Sequence, residues 1–309
     1  MKMRRSFSYF LTAATLLSGC TLESPESPSL IFFVIGDWGE RGSTEQMMVS
    51  LRMNEWAGQL QPKFIVTTGD NFYNEGVAST ADSHWLESFI QVYSWPNLDS
   101  IPWYPTLGNH DYVGTPAAQV EYSSLSDRWQ MPARYYTMVV VTPQSKRVRL
   151  VMTDTSPMHD FYHTYALMMN EITTQDTTLQ LRWLDSVTSL NDADWKIVIG
   201  HHPVYTGGIY KEDVASVKRH LEPIFERNKV DIYFCGHEHD LQHLKPSARR
   251  THYFISGGGS KIRPAGRVPE TLFAESALGF MIVSINDRGV RVRIIESDGR
   301  QLYQAMLSK

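Results

Sequence analysis

The sequence predicts an α/β fold in which two mixed sheets pack face to face with helices outside, an αββα sandwich in four layers. Three observations lead there. Apolar, β-branched runs alternate with helical patterns through the first half of the chain, and strand-like runs cluster in the last third. A 309-residue chain that is 42% hydrophobic and 20% charged has ample material for a core of that size. Between Leu30 and the C-terminus there is no second linker, no low-complexity tract and no repeat, so residues 30–309 read as a single domain.

The elements follow in order. Leu30 to Ile35 is a strand. Ser43 to Leu60 has helical periodicity, with Thr44, Met47, Met48, Leu51 and Trp56 as its buried candidates. Phe64 to Thr68 is the next strand and Asp82 to Tyr93 a helix. Trp103 to Leu107 is a short strand that Pro105 makes irregular or confines to an edge. Tyr135 to Val141 and Val148 to Thr153 form a strand pair. An amphipathic helix, Thr177 to Leu190, leads into strand Lys196 to Ile199, and the helix Val214 to Asn228 leads into strand Val230 to Cys235. Tyr253 to Ser256, Phe280 to Ile285, Val290 to Glu296 and Gln301 to Leu307 are all strand-like.

Ahead of the domain, Lys2, Arg4 and Arg5 precede a short uncharged run from Phe7 to Leu17, which ends in Leu17-Ser18-Gly19-Cys20. That pattern is an export signal over residues 1–20, and its ending resembles a bacterial lipoprotein cleavage site at which Cys20 becomes the lipidated first residue. Residues 21–29 are rich in Ser, Pro and Glu and read as a flexible tether. The expected protein is exported and held to a membrane only through lipid at Cys20. Thr21 after that cysteine, in place of Asp, favours the outer membrane. If Cys20 is modified, Cys235 is the one cysteine left and no internal disulfide is possible. A formal net charge of -4 argues against a dedicated nucleic-acid binder.

The chemistry lies at the strand ends. Five apolar strands each end in glycine followed by a side chain able to hold a metal: Gly36-Asp37, Gly69-Asp70, Gly108-Asn109, Gly200-His201 and Gly236-His237. One Gly-Asp is ordinarily a turn, and one Gly-His is ordinarily structural. Five in register with strand ends converge on one crevice, because the carboxyl ends of parallel strands line the ligand site of an open α/β sheet. The available donors are carboxylates (Asp37, Asp70), a phenol (Tyr73), an amide oxygen (Asn109) and imidazoles (His201, His237, His239). This mixture suits iron, manganese or zinc. It is too large for one catalytic ion with an open position, and fits a pair sharing a carboxylate.

These blocks, Asp37-Trp-Gly, Gly69-Asp-Asn-Phe-Tyr73, Gly108-Asn-His-Asp111, Gly200-His-His-Pro and Gly236-His-Glu-His239, resemble those of the purple acid phosphatases, a branch of the calcineurin-like metallophosphoesterases. The likeness is to the small tartrate-resistant acid phosphatase type and runs on through "PWYPTLGNHDY", "GHEHDLQHL" and the C-terminal "GFMIVSINDRGVRVRIIESDGRQLYQAML". The resemblance implies the calcineurin-like fold and hydrolysis of small phosphate monoesters by direct attack of a metal-bound hydroxide. It implies Fe(III) at Asp37, Tyr73 and His239, a divalent Fe, Zn or Mn at Asn109, His201 and His237, and Asp70 as the bridge. The wider superfamily has Asp-x-His in its first block; here Trp38-Gly39 follows Asp37, and Tyr73 supplies the ferric phenolate that marks the purple type. His110 is expected to bind phosphate with Asn109 and to protonate the leaving alkoxide, with Asp111 orienting its imidazole. The animal enzymes carry a further substrate-facing histidine after the Gly-His-x-Pro block. Here "VYTGGIYKEDV" has none, which leaves His202 or Tyr210 as the substrate contact. The alternative reading is a phosphodiesterase or nucleotide-type hydrolase on the same scaffold. A monomer is expected. His84, His159, His163, His220, His243 and His252 read as packing or surface residues, with His243 a candidate for the pocket rim, and Cys235 reads as core.

If Cys20 carries the anchor, Cys20→Ser moves the protein from membranes to the soluble exported fraction. Mass spectrometry of the mature N-terminus that finds an unmodified Cys20 overturns the assignment.

Overall fold

The computed structural model describes residues 27–211 and 213–309; Cys20, the signal segment and most of the tether lie outside them. In chain order the strands are β1 Leu30–Ile35, β2 Phe64–Thr67, β3 Trp103–Tyr104, β4 Tyr136–Val141, β5 Arg147–Met152, β6 Trp195–Ile199, β7 Ile232–Cys235, β8 Leu241–Leu244, β9 His252–Ser256, β10 Thr271–Glu275, β11 Gly279–Asn286, β12 Gly289–Glu296 and β13 Gln301–Leu307. The α-helices are α1 Thr44–Leu60, α2 Pro116–Tyr122, α3 Asp160–Thr164, α4 Thr177–Ser189 and α5 Ala215–Asn228.

Two mixed sheets result. The first runs β13-β12-β11-β1-β2-β3 and the second β10-β8-β9-β7-β6-β5-β4. In the first, β1, β2 and β3 are parallel; in the second, β5, β6, β7 and β9 are parallel. Antiparallel strands flank both parallel blocks. The period-2 alternation of a strand decides what each side chain buries against. Along the second sheet, Leu150, Ile197, Ile199, Ile232, Phe234 and Phe254 face the first sheet and form the central core. Their neighbours Val151, Val198, Tyr233, Cys235 and Ile255 point the other way, against Leu184 of α4 and Val217, Leu221 and Phe225 of α5. Both parallel blocks are buried on two faces, which is why their sequences read as continuous apolar runs.

The helices have identifiable ends. Ser43 caps α1 by accepting the Gln46 N–H at 3.2 Å, and Asp176 caps α4 by accepting the Leu179 N–H at 2.9 Å. Two expectations need correction. The buried face of α1 is Gln46, Val49, Ser50, Met53 and Ala57; Thr44, Met48 and Leu51 are exposed, while Met47 and Trp56 are partly buried against the core. The polar members of that face are satisfied internally: the Gln46 amide donates to Ser88 O at 2.8 Å, and Ser50 Oγ accepts from Trp95 Nε1 at 3.1 Å. Asp82–Tyr93 is not a regular helix but one wide turn over Trp85–Ile90, in which the Gln91 N–H reaches back to Leu86 O. It delivers Trp85, Phe89 and Tyr93 to an aromatic cluster with Trp38, Phe72, Trp103 and Trp129. The elements α2, α3, β8 and β10 are not among those the sequence predicts. The sequence of β8, "LQHL", is contiguous with a motif, and β10 is a half-exposed edge strand.

The corrected face of α1 has a direct test. Met53→Ala removes a fully buried side chain and is expected to cost about 2–5 kcal/mol in chemical denaturation. Leu51→Ala, on the exposed face, is expected to stay within about 0.5 kcal/mol.

Candidate metal centre

The loops that leave β1, β2, β3, β6 and β7 meet at one edge of the sandwich and bring the seven predicted donors together. Tyr73 OH lies 2.8 Å from Asp37 Oδ1, 2.9 Å from Asp70 Oδ2 and 3.0 Å from His239 Nε2. A second group adjoins it. Asn109 Oδ1 is 3.1 Å from His201 Nε2 and 3.1 Å from His237 Nδ1, and the two imidazole nitrogens are 3.3 Å apart. His201 Nε2 stands 3.4 Å from Asp70 Oδ2, so Asp70 belongs to both groups. Separations near 3 Å are those between donor atoms on one coordination sphere.

The backbone is shaped to achieve this. Asp37, Asp70 and His237 all have positive φ, at 57°, 48° and 68°. That conformation is costly for residues with a Cβ and marks sites where the surroundings over-determine the chain. Here the surroundings are hydrogen bonds: Asp37 N–H to Gly69 O at 3.1 Å, His237 N–H to Asp37 Oδ2 at 3.0 Å, and His110 N–H to Asp70 Oδ1 at 2.8 Å. Gly108 is required by close approach, since a Cβ there would lie 2.2 Å from Asp70 N. His201 Nδ1 donates to the Thr68 carbonyl at 2.8 Å. A carbonyl only accepts, so Nδ1 keeps its proton, and Nε2 is the nitrogen left to face a metal once its own proton is displaced.

The electrostatics fit cations. Burial alone would keep Asp70 protonated, but His201, His110 and His237 outweigh it and hold its carboxyl well below the usual carboxylate range. Burial acts against charge on His201 too, and Asp70 overcomes it, raising the imidazole to about 9. Burial, then Asp37 and Asp70, push the Tyr73 phenol well above its ordinary value. Two carboxylates and a phenol oxygen are thus crowded together out of water, an arrangement that a bound cation relieves. Carboxylates, a phenol, an amide oxygen and imidazoles together form a donor set suited to first-row transition-metal cations.

Residues 30–241 match the calcineurin-like phosphoesterase family. The chain is 36% identical over 287 residues to purple acid phosphatase 3 of Arabidopsis thaliana, covering 88% of this chain and 76% of that protein. It is 30% identical to the human tartrate-resistant acid phosphatase type 5, covering 96% and 98%. The chain belongs to the purple acid phosphatases, within the calcineurin-like phosphoesterases. Among solved structures, GAP50, the anchor in the inner membrane complex of Plasmodium, shares this fold with a TM-score of 0.79 at 22% identity, covering 91% of this chain and 89% of that one. The purple acid phosphatase PPD1 from yellow lupin shares it with a TM-score of 0.64 at 13% identity, covering 90% and 53%.

Within this purple acid phosphatase, three sequence expectations change. Asp111 does not orient His110. Its buried carboxylate accepts from Gly108 N–H at 2.8 Å, Asn71 N–H at 3.1 Å and the Gln119 amide at 2.8 Å, and burial followed by Asp70 raises its pKa to about 7. The imidazole of His110 is held instead by the carbonyl of Asn74, 2.6 Å from Nδ1. His202 has no nitrogen left for a substrate: Nδ1 meets Thr155 Oγ1 at 2.8 Å and Nε2 meets Tyr162 OH at 2.9 Å. His243 does not line the rim; it is buried, stacked on Phe254, with His252 Nδ1 at 2.9 Å and Tyr303 OH at 3.1 Å. Cys235 is core, as expected.

Two organising residues were missed. Asn71 is fully buried and joins four segments: its amide donates to Thr106 O at 2.7 Å and Gln119 Oε1 at 3.0 Å, and its Oδ1 accepts from Thr67 Oγ1 at 2.6 Å and Trp38 Nε1 at 3.2 Å. Glu238, between His237 and His239, accepts the N–H groups of Ile209 at 3.2 Å and Tyr210 at 2.8 Å, which fixes the loop after Gly200-His-His-Pro. The signal was present in both cases, since each sits inside a motif between predicted donors.

Tyr73 gives the centre its spectroscopic test. With ferric iron bound, a tyrosinate ligand produces a visible charge-transfer band, and Tyr73→Phe abolishes that band while the fold survives. An oxidised, fully iron-loaded and colourless wild type contradicts the assignment.

Proposed function

We propose that this chain is an acid phosphatase that hydrolyses phosphate monoesters at a binuclear centre. In this reading Asp37, Asp70, Tyr73 and His239 hold Fe(III), and Asp70, Asn109, His201 and His237 hold Fe(II), Zn(II) or Mn(II). The observation that carries it is the sharing of Asp70 between two complete donor groups. When bound, the two cations supply the charge that acidifies a water molecule and draws electron density from the phosphoryl group.

The chain's own residues do the rest. An open cleft lined by Tyr73, Asn74, His110 and His239 admits the ester beside the donors. Because His110 Nδ1 is committed to the Asn74 carbonyl, the proton available to a leaving alkoxide is the one on Nε2. The two serines of the cleft are engaged elsewhere: Ser43 caps α1, and Ser260 Oγ donates to Asp37 O at 2.7 Å. Neither is paired with a general base of the kind that activates a nucleophile. The reading is therefore direct displacement by water, with inversion at phosphorus and no phosphoenzyme.

His110→Ala is expected to slow turnover by roughly 10²–10⁴ for alkyl phosphates, the usual worth of a general acid. The loss shrinks for nitrophenyl phosphate, whose leaving group needs little protonation. Equal losses for both, or net retention at a chiral phosphorothioate, overturn the proposal.

A further inference from the structure

One wall of the cleft is the loop 257–263 that follows β9. It is fitted tightly against the donor segments: a Cβ on Gly257 would lie 1.9 Å from Glu238 O, and one on Gly259 would lie 2.3 Å from Gly36 O. Ser260 Oγ donates to Asp37 O at 2.7 Å and Arg263 N–H donates to His239 O at 2.7 Å. A segment pinned to Asp37, Glu238 and His239 carries its side chains in fixed places, and two of them are cations. Lys261 Nζ lies 4.5 Å from the centre of the Tyr73 ring and 2.6 Å from Glu40 Oε2. The Arg263 guanidinium donates to His237 O at 3.1 Å and lies 5.1 Å from the centre of the Tyr210 ring, whose own centre is 4.6 Å from that of the His237 imidazole.

Arg263 makes no close ion pair among the described residues, although its charge acts on the buried carboxyls of Glu238 and Asp240. The other acid of the cleft, Glu45, is exposed in the first turn of α1. The two side-chain cations, one of them held by Glu40, give this wall of the cleft a positive face that an anionic group can meet. The transferred phosphoryl group is already met by the donor groups and His110. Lys261 sits over the ring of Tyr73, outside the cluster of donor atoms, and Arg263 flanks the opposite donor group at His237.

We propose that Arg263 and Lys261 receive a second anionic group carried by the leaving portion of the substrate. This makes the preferred substrates organic phosphates that bear a further phosphate or carboxylate, and makes Glu40 the internal competitor that occupies Lys261 when no such group is bound. The inference rests on the phosphatase reading above. Arg263 here takes up a substrate-contacting task beside Tyr210, in the region where the loop 204–214 has no histidine.

The test compares kcat/KM for 4-carboxyphenyl phosphate and phenyl phosphate, which differ by one anionic group. The wild type favours the first. Arg263→Met lowers that preference by about ten- to a hundredfold, the worth of a charge-assisted hydrogen bond, and Arg263→Lys restores part of it. Glu40→Gln acts in the opposite sense and raises the preference, because Lys261 is released. Calorimetric binding of methylenediphosphonate against methylphosphonate to the metal-loaded protein follows the same order and reports on a second phosphate without turnover. Metal content measured on each variant shows that the centre is intact. A preference unchanged across the variants, or an equal fall for both substrates, overturns the inference. Failure of the wild type to cleave phenyl phosphate at all counts against the phosphatase reading instead, and the calorimetric ratio still decides the role of Arg263.

Discussion

A single buried carboxylate, Asp70 at the exit of β2, holds the two donor groups in contact. One oxygen takes the His110 backbone N–H, while the other stands between the Tyr73 hydroxyl and the His201 imidazole. A charge removed from water must be matched by hydrogen bonds and opposite charge, or it neutralises itself. Asp70 meets that demand by drawing in segments from both sheets. The loops after β3 and β6 are placed by what Asp70 requires, and the glycines before and opposite it exist to let it in. The same demand explains why three donors tolerate left-handed backbone: the strain is distributed over a network that no one segment forms alone.

Beneath the donors lies an aromatic floor. Trp38 and Phe72, which directly follow Asp37 and Asn71, pack on Trp103, Trp129, Phe89 and Tyr93. The motif residues that carry no ligand thus lock the residues that do, as preorganised sites require. Rigid rings with few rotamers are suited to this task, and they hold the turns after β1 and β2 at a fixed separation.

Much of this was legible in the sequence because its physics is local. A buried parallel strand is an apolar run, and a glycine followed by a donor at a strand exit is visible without knowing the partner. The seven candidate donors stand out in the sequence for that reason. What escaped depends on distant pairing. Asp111 looks like an orienting acid for the adjacent His110, but its actual partners are Gly108, Asn71 and Gln119, and two of those are on other segments. The buried face of α1 departs from its apolar pattern because Gln46 and Ser50 are buried with partners more than forty residues away. The turn at Trp85–Ile90 has helical composition, and its widening is not visible in the local sequence.

The division of donors between sheets has a consequence for how the molecule holds together. Asp37, Asp70, Tyr73 and Asn109 follow strands of one sheet, and His201, His237 and His239 follow strands of the other. Each proposed cation therefore draws ligands from both halves of the sandwich. Asp37 and His237 are 200 positions apart, so the loop closed through the centre is among the longest the chain can make. Cross-links over long loops remove the most freedom from the unfolded chain, and metal binding of this kind is folding free energy. Cys235, the one cysteine among the described residues, is buried and unpaired. Metal ions bound there would tie the two sheets together without a covalent cross-link.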